Sequence, residues 1–352
     1  IRLSLVGSEM CIRDRSIAAQ QKSSPLQLAS ALGGILLALA NPEAGIAAIS
    51  AGSAASAQSS INYTRQNEKE ADSIGIRILA QAGFDPNAAG EFFGTLVEKY
   101  RLKSKPPAFL LTHPLPESRV ADARTRAASY RTARVAPSLS FHLAKSRILA
   151  RYYATPEYNV SYFETSLERG SYTFKAASEY GLALAYLADK QYDKARNLID
   201  SLLKDDPRNL FYLDTYTDIA LETGRVQDAI DKLMAQAALT PRNRVITLNL
   251  ANALVKNKQY DRAVRILKDY LLVEPDNMLA HQILSDAYAE NQNKLEMHQT
   301  KAEVYALAAS YPRAIDELHS AYNYAGAQNI EKQRIRARIE QFREFQTRLE
   351  SL

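Results

Sequence analysis

Apolar positions in the second half of the chain follow helical spacing, and the same pattern returns at a fixed distance. Three prolines lie 34 residues apart, each preceded by an alanine twelve residues earlier: Pro207, Pro241 and Pro275, with Ala195, Ala229 and Ala263. Each repeat predicts two antiparallel helices, because the small alanine permits close approach of the helices and the proline ends the second one. We therefore expect these three alanines at tight helix contacts.

A 34-residue period in a helical sequence is typical of tetratricopeptide repeats. Weaker copies flank the three clear ones: 141–153 with 158–167 as a starting pair, 278–292 as a further helix, and 296–308 as a first helix followed by a second-helix pattern at Tyr311, Ala314, Leu318 and Ala321. The pattern predicts a curved α-solenoid over residues 138–352.

A helix over 331–349 is expected to cap that solenoid. Its apolar stripe consists of Ile335, Ile339, Phe342, Phe345 and Leu349. For the tyrosines of this half we favour packing between helices over ligand binding.

The first half has a different pattern. Residues 26–57 are apolar and rich in small side chains, with a break at 41–43. About 20 uninterrupted apolar residues are needed to cross a bilayer, so a spanning helix is disfavoured. A helical hairpin in contact with a membrane surface and a helix buried in the domain core both remain open for this tract.

Residues 1–15 contain no initiator Met and no signal-peptide pattern. They resemble translated sequencing-adapter sequence, and we expect this tract to be non-native. The expected organisation is then a domain over 16–130, a linker over 131–137 and the solenoid.

Composition agrees with an all-α protein. The 352 residues are 46% apolar and lack the alternating pattern of strands, so an all-β enzyme is excluded. The net charge of +5 is spread over interleaved acidic and basic residues, and no nucleic-acid partner is expected. The single cysteine, Cys11, rules out an internal disulfide.

Candidate chemistry begins with a predicted helix over 67–80. Its apolar stripe consists of Ala71, Ile74, Ile78 and Leu79. Glu68 and Asp72 are four residues apart, so their like charges share one helix face and need water or a cation nearby. Taken alone, this pattern favours a solvated acidic face.

A second pattern, Thr112-His113-Pro114-Leu115-Pro116-Glu117-Ser118-Arg119, changes that interpretation. Together with Glu68-x-x-Ala71-Asp72, it resembles the HtpX-like and CaaX-protease-like family of zinc metallopeptidases. The resemblance implies a zincin-like metallopeptidase domain in front of the repeats.

The resemblance also implies roles for four residues. In that family, zinc is bound by two histidines of a His-Glu-x-x-His helix and by a glutamate that corresponds to Glu68. Asp72 would orient a ligand histidine, His113 would be a fourth ligand or a donor to the oxyanion, and Arg119 would be its electrostatic partner. All four should therefore lie close together.

No His-Glu-x-x-His motif occurs in the sequence. The resemblance places it about 60 residues before Glu68, which falls inside the 1–15 tract. We expect the native gene to carry the motif upstream, and this chain to be a truncated form that holds zinc poorly and is inactive.

Two functions remain open from the sequence. The resemblance implies a periplasmic zinc endopeptidase, possible membrane contact through 26–57, and action on outer-membrane β-barrel proteins and their assembly machinery. The alternative is a non-enzymatic tetratricopeptide adaptor that binds proteins or peptides. Rossmann and P-loop enzymes are excluded, because no Gly-rich phosphate loop is found.

Overall fold

A computed structural model describes residues 65–100, 117–131 and 135–351. Within these ranges the chain forms 15 helices and no strand, which confirms the predicted all-α class. The chain divides into two compact units between Ala136 and Pro137. The 1–15 tract, the apolar tract 26–57 and His113 lie outside the described residues.

The N-terminal unit contributes three described helices, namely α1 (65–81), α2 (Asn87–Tyr100) and α3 (Glu117–Ala127). A turn follows α1, in which Gly83 adopts φ +79° and Phe84 N–H donates to the Leu79 carbonyl at 2.9 Å. Asp85 then accepts a hydrogen bond from Asn87 N–H (2.9 Å) at the start of α2.

The buried face of α1 differs from the predicted apolar stripe, whose residues are only half-buried. Ile76 is the α1 side chain in the core, at 1% exposure, where it packs with Ala123 and Ala127 of α3. Because residues four apart stack along one helix face, the face that carries Ile76 also carries Asp72 and Glu68. Glu68 and Asp72 therefore lie on the same face of α1 as the core residue Ile76.

The second unit consists of twelve helices that follow one another as antiparallel neighbours. They are α4 (Leu139–Tyr152), α5 (Pro156–Glu168), α6 (Lys175–Ala188), α7 (Tyr192–Asp205), α8 (Leu210–Glu222), α9 (Val226–Leu239), α10 (Arg244–Lys256), α11 (Tyr260–Leu271), α12 (Met278–Glu290), α13 (Lys294–Leu307), α14 (Tyr311–Tyr324) and α15 (Asn329–Glu350). The alanines at the predicted helix contacts, Ala195, Ala229 and Ala263, are each fully buried. The predicted repeat register is confirmed.

An asparagine two residues after each repeat proline extends that register. Asn209, Asn243 and Asn277 are the N-caps of α8, α10 and α12, and each side chain accepts a backbone N–H of the first turn. Such a cap satisfies a donor that would otherwise lack a partner. This signal was present in the sequence at the same 34-residue spacing but was missed.

The pairing of the last helices also differs from the prediction. Helix α13 starts 34 residues after α11, so 294–307 is the second helix of a repeat rather than the first. Helices α14 and α15 then form the final pair. The error arose because both helices of a repeat contain alanine and leucine at helical spacing. In the capping helix, Ile335, Ile339 and Phe342 are buried, whereas Leu349 is 48% exposed and lies outside the stripe.

The tyrosines of the second unit range from fully buried to exposed. Five of them are buried between helices, as expected: Tyr180, Tyr186, Tyr212, Tyr270 and Tyr288. Six others are exposed: Tyr152, Tyr153, Tyr158, Tyr162, Tyr172 and Tyr324. The core-packing interpretation is therefore wrong for the second group, which is concentrated at the first helix pair.

A polar network joins the first helices of successive pairs. Arg147 on α4 donates from Nε to the Tyr180 hydroxyl (2.9 Å) and forms an ion pair with Asp214 on α8. Asn249 on α10 donates to the other oxygen of Asp214 (2.9 Å). One turn further along α8, Asp218 lies 3.6 Å from Arg151.

We expect Asp218→Asn to stabilise the protein near neutral pH. Burial and the neighbouring Asp214 raise the pKa of Asp218 to about 6, against the opposing effect of Arg151. Between about pH 4 and pH 6, the Asp218 carboxyl group is therefore protonated in the folded state and ionised in the unfolded state. The free energy of unfolding falls as the pH rises through this range. The gain from the asparagine should be about 1 kcal/mol above pH 7, since the side chain is 38% exposed and solvent screens its charge.

Urea denaturation of the wild type and Asp218→Asn at pH 4 and pH 7.5 measures this effect. The helix tolerates the change, because Asn252 occupies the same position one repeat later. Asp231→Asn, at an exposed site on α9, is the control. An equal gain in the free energy of unfolding for Asp218→Asn at both pH values would contradict the raised pKa of Asp218.

Candidate active site

Helices α1 and α3 bring together three charged side chains that are distant in sequence. Arg119 on α3 donates from Nε to Asp72 Oδ2 and from Nη2 to Asp72 Oδ1, both at 2.8 Å. Its Nη2 also lies 2.9 Å from Glu68 Oε2. One guanidinium therefore bridges both carboxylates, with the two-bond geometry that arginine forms with a carboxylate.

The cluster lies inside the N-terminal unit. The exposed fraction is 5% for Glu68, 6% for Arg119 and 10% for the Asp72 side chain. The expectation of a solvated acidic face is therefore wrong, and the cation that the carboxylate pair requires is supplied by Arg119. Burial opposes its charge, but hydrogen bonding and attraction to Asp72 and Glu68 outweigh burial and raise the pKa of Arg119.

Helix α2 also contacts the cluster that α1 and α3 form. The Arg119 guanidinium carbon lies 5.2 Å from the centre of the Phe93 ring, within the range of a cation–π contact. Close packing of α2 on α3 requires Gly90, because a Cβ there would come within 2.8 Å of Arg124 Cγ. The sequence contained no signal for Phe93, which becomes a neighbour of Arg119 only when the helices pack.

At the edge of the cluster, two exposed contacts also join α1 to α3. Lys69 pairs with Asp122 at 3.3 Å, and Arg126 donates to the Ser73 hydroxyl at 3.1 Å. Exposed contacts of this kind contribute little to stability, so the attachment of α1 to α3 depends mainly on Arg119 and the Ile76 core.

Three of the four residues predicted to meet are therefore in contact, and His113 lies outside the described residues. Within the described ranges, Arg119 contacts the carboxylates of Glu68 and Asp72. Its expected pairing with His113 stays a prediction. A role for Asp72 in orienting a histidine, and for Glu68 as a metal ligand, stays a prediction.

The described residues do not by themselves fit a zinc ion. Among them, no group of three or more His, Cys, Asp and Glu side chains is placed to bind a metal together. Zinc in enzymes needs three protein ligands and one open position. Here the two neighbouring carboxylates share one guanidinium instead.

Comparison with known proteins identifies the family. Residues 13–127 match peptidase family M48, and 177–209 and 220–282 match tetratricopeptide repeats. The β-barrel assembly-enhancing protease of Escherichia coli (strain K12) is 40% identical over 334 residues, which are 95% of this chain and 68% of that protein. The chain belongs to the M48 peptidases that carry tetratricopeptide repeats.

Two further relatives agree with this membership. A Vibrio cholerae serotype O1 protein named for the same protease is 42% identical over 93% of this chain and 68% of its own length. The Yersinia pestis protease is 37% identical over 95% of this chain and 69% of its own length. The predicted combination of an M48 metallopeptidase domain and repeats is confirmed, and the non-enzymatic adaptor is not favoured.

The M48 match covers residues 13–127. It therefore includes the last three residues of the 1–15 tract that was expected to be non-native, and it ends within the predicted 16–130 domain. In the part of the chain that the structure describes, no helix has the length and apolar character needed to cross a membrane.

Proposed function

We propose that the chain is an M48 endopeptidase whose catalytic centre is built around Glu68, Asp72, His113 and Arg119. Glu68 would be the carboxylate ligand of a catalytic zinc ion and Asp72 its supporting carboxylate. The remaining ligands would come from a His-Glu-x-x-His helix, which this sequence lacks. The chain as given would therefore hold zinc poorly and cleave little.

The observation that carries this proposal is the buried Glu68–Asp72–Arg119 cluster inside the region matched by the M48 model. Burying two carboxylates that lie four residues apart on one helix costs free energy. Their burial here therefore indicates that the fold or the site requires both. When bound, zinc would supply polarisation of the scissile carbonyl and activation of water. The protein's own contribution would be to hold Glu68 in a fixed position through Arg119.

The names of the relatives support a substrate class. We propose that the enzyme acts in the periplasm on outer-membrane β-barrel proteins, close to their assembly machinery. The solenoid over 138–352 would provide the surface that binds these partners, and 26–57 could contribute contact with the membrane surface. Stacked repeats of this type present an extended concave face suited to protein binding.

The test compares this polypeptide with a version extended upstream by a helix that carries the His-Glu-x-x-His motif. Bound zinc is measured by mass spectrometry after dialysis, and proteolysis with casein. We expect about one zinc per extended chain, activity only in that form, and loss of both in Glu68→Gln.

Glu98→Gln, at an exposed position on α2, is the matched control and should keep zinc and activity. Equal zinc in the short and extended chains, or zinc retained by Glu68→Gln, would show that the metal site lies elsewhere. Proteolysis by the short chain would overturn the proposed incomplete site.

A further inference from the structure

A cavity in the second unit is lined partly by polar groups that have no partner among the described residues. It lies between α4, α5, α6 and the loop over 171–174, and its volume is about 290 Å³. We call it the α4–α6 cavity. None of its lining residues is acidic, whereas Lys145 and His142 both line it.

Two serine hydroxyls in this cavity lack hydrogen bonds to any described residue. Ser146 on α4 and Ser178 on α6 are each 8% exposed, and both line the cavity. Neither hydroxyl oxygen belongs to the fully buried polar atoms that lack a partner, so both open into the cavity. Each can therefore donate a hydrogen bond to an acceptor of a ligand bound there.

The cationic side chain of the cavity, the exposed Lys145, is also available. Lys145 makes no ion pair with any residue in the described ranges, and His142 makes only edge contacts with the rings of Phe141 and Phe174. Of the four glutamates on these helices, Glu164 accepts from the Tyr186 hydroxyl (2.6 Å) and Glu179 pairs with Lys175 (2.9 Å). The other two, Glu157 and Glu168, are exposed and do not line the cavity. The cavity therefore offers donors and positive charge without a counter-ion.

A second cleft of about 320 Å³ continues from the first along the outer side of α5. The two share Tyr162, Ser166 and Ser171, and Arg169 is the charged residue of the second cleft. Its rim carries two exposed tyrosines, Tyr158 at 54% and Tyr162 at 39%. The Tyr153 ring contacts both in a tilted arrangement, with 6.0 and 5.6 Å between ring centres. Tyrosine and arginine are enriched on surfaces that recognise protein chains, and serine accompanies tyrosine on antibody binding surfaces.

We propose that the α4–α6 cavity and the adjoining cleft bind an acidic peptide segment. A carboxylate enters the cavity and accepts hydrogen bonds from Ser146, Ser178 and Lys145. The flanking residues of the peptide lie across the tyrosines of the outer cleft. This site is separate from the proposed catalytic cluster and does not depend on it.

Fluorescence anisotropy with a labelled, C-terminally amidated peptide of sequence Ser-Tyr-Glu-Glu-Tyr-Ser tests the proposal on the full chain. The counterpart with glutamine in place of both glutamates should bind at least ~10-fold more weakly, which corresponds to the loss of one charge-assisted hydrogen bond. Lys145→Met and Ser178→Ala should each weaken binding of the acidic peptide by a factor of about 5 to 10.

Ser178→Ala separates binding from folding, because the Ser178 hydroxyl makes no hydrogen bond to a described residue. The melting temperature of this variant should equal that of the wild type. Lys204→Met, at an exposed site on α7, controls for general charge attraction. Equal binding of both peptides, or equal weakening by Lys204→Met and Lys145→Met, would overturn the proposal. Displacement of the peptide by inorganic phosphate alone at comparable concentration would show a small-anion site instead.

Discussion

Arg119→Leu should destabilise the N-terminal unit by about 3–5 kcal/mol, because it leaves Glu68 and Asp72 buried without their cation. Arg119→Lys should cost less, since lysine keeps the charge but cannot form the two-bond contact with Asp72. Urea denaturation followed by circular dichroism measures the loss. Hydrogen exchange of α1 and α3 shows whether it is confined to the helices that Arg119 joins.

Lys69→Met is the matched control. It removes a cation that also links α1 to α3, but its ion pair with Asp122 is about half exposed, so the expected loss is below about 1 kcal/mol. Adding Glu68→Gln and Asp72→Asn to Arg119→Leu should restore part of the stability by removing two buried negative charges. An equal decrease in the free energy of unfolding for Arg119→Leu and Lys69→Met would show that the buried cluster does not stabilise the packing of α1 on α3.

Phe163→Ala should destabilise the solenoid by about 3–5 kcal/mol through the cavity it leaves at the start of the repeat array. Phe163 is 2% exposed, and its ring lies against Gly181 on α6. A Cβ on Gly181 would overlap that ring, with Cδ1 only 2.9 Å away. Gly181→Ala should therefore cost about 1–3 kcal/mol, although alanine favours a helix.

The two changes should not add, because removing the ring makes room for the new methyl group. The double variant should be more stable than the sum of the single losses predicts, as measured by the same urea titration. Gly75→Ala is the control, since a Cβ at this helical glycine meets no atom within 4 Å, and it should be neutral or stabilising by up to about 1 kcal/mol. Strict additivity of Phe163→Ala and Gly181→Ala would contradict the proposed contact.

Repeat periodicity could be determined from the sequence because it is local. Helical spacing fixes which residues share a face, so Ala195, Ala229 and Ala263 were placed correctly at buried contacts without knowledge of the rest of the fold. The same reasoning put Glu68 and Asp72 on one face of α1. Their chemical type, together with the pattern around His113, was sufficient to predict the metallopeptidase family.

Tertiary structure decided which residues contact the face of α1 that carries Glu68 and Asp72. The predicted apolar stripe on α1 left out Ile76. Only the approach of α3 selected Ile76 as the core side chain and Arg119 as the partner of both carboxylates. It also separated buried from exposed tyrosines and left Ser146 and Ser178 facing a cavity. Such outcomes depend on which helix faces meet across long stretches of chain, and spacing within a single helix carries no information about its neighbour.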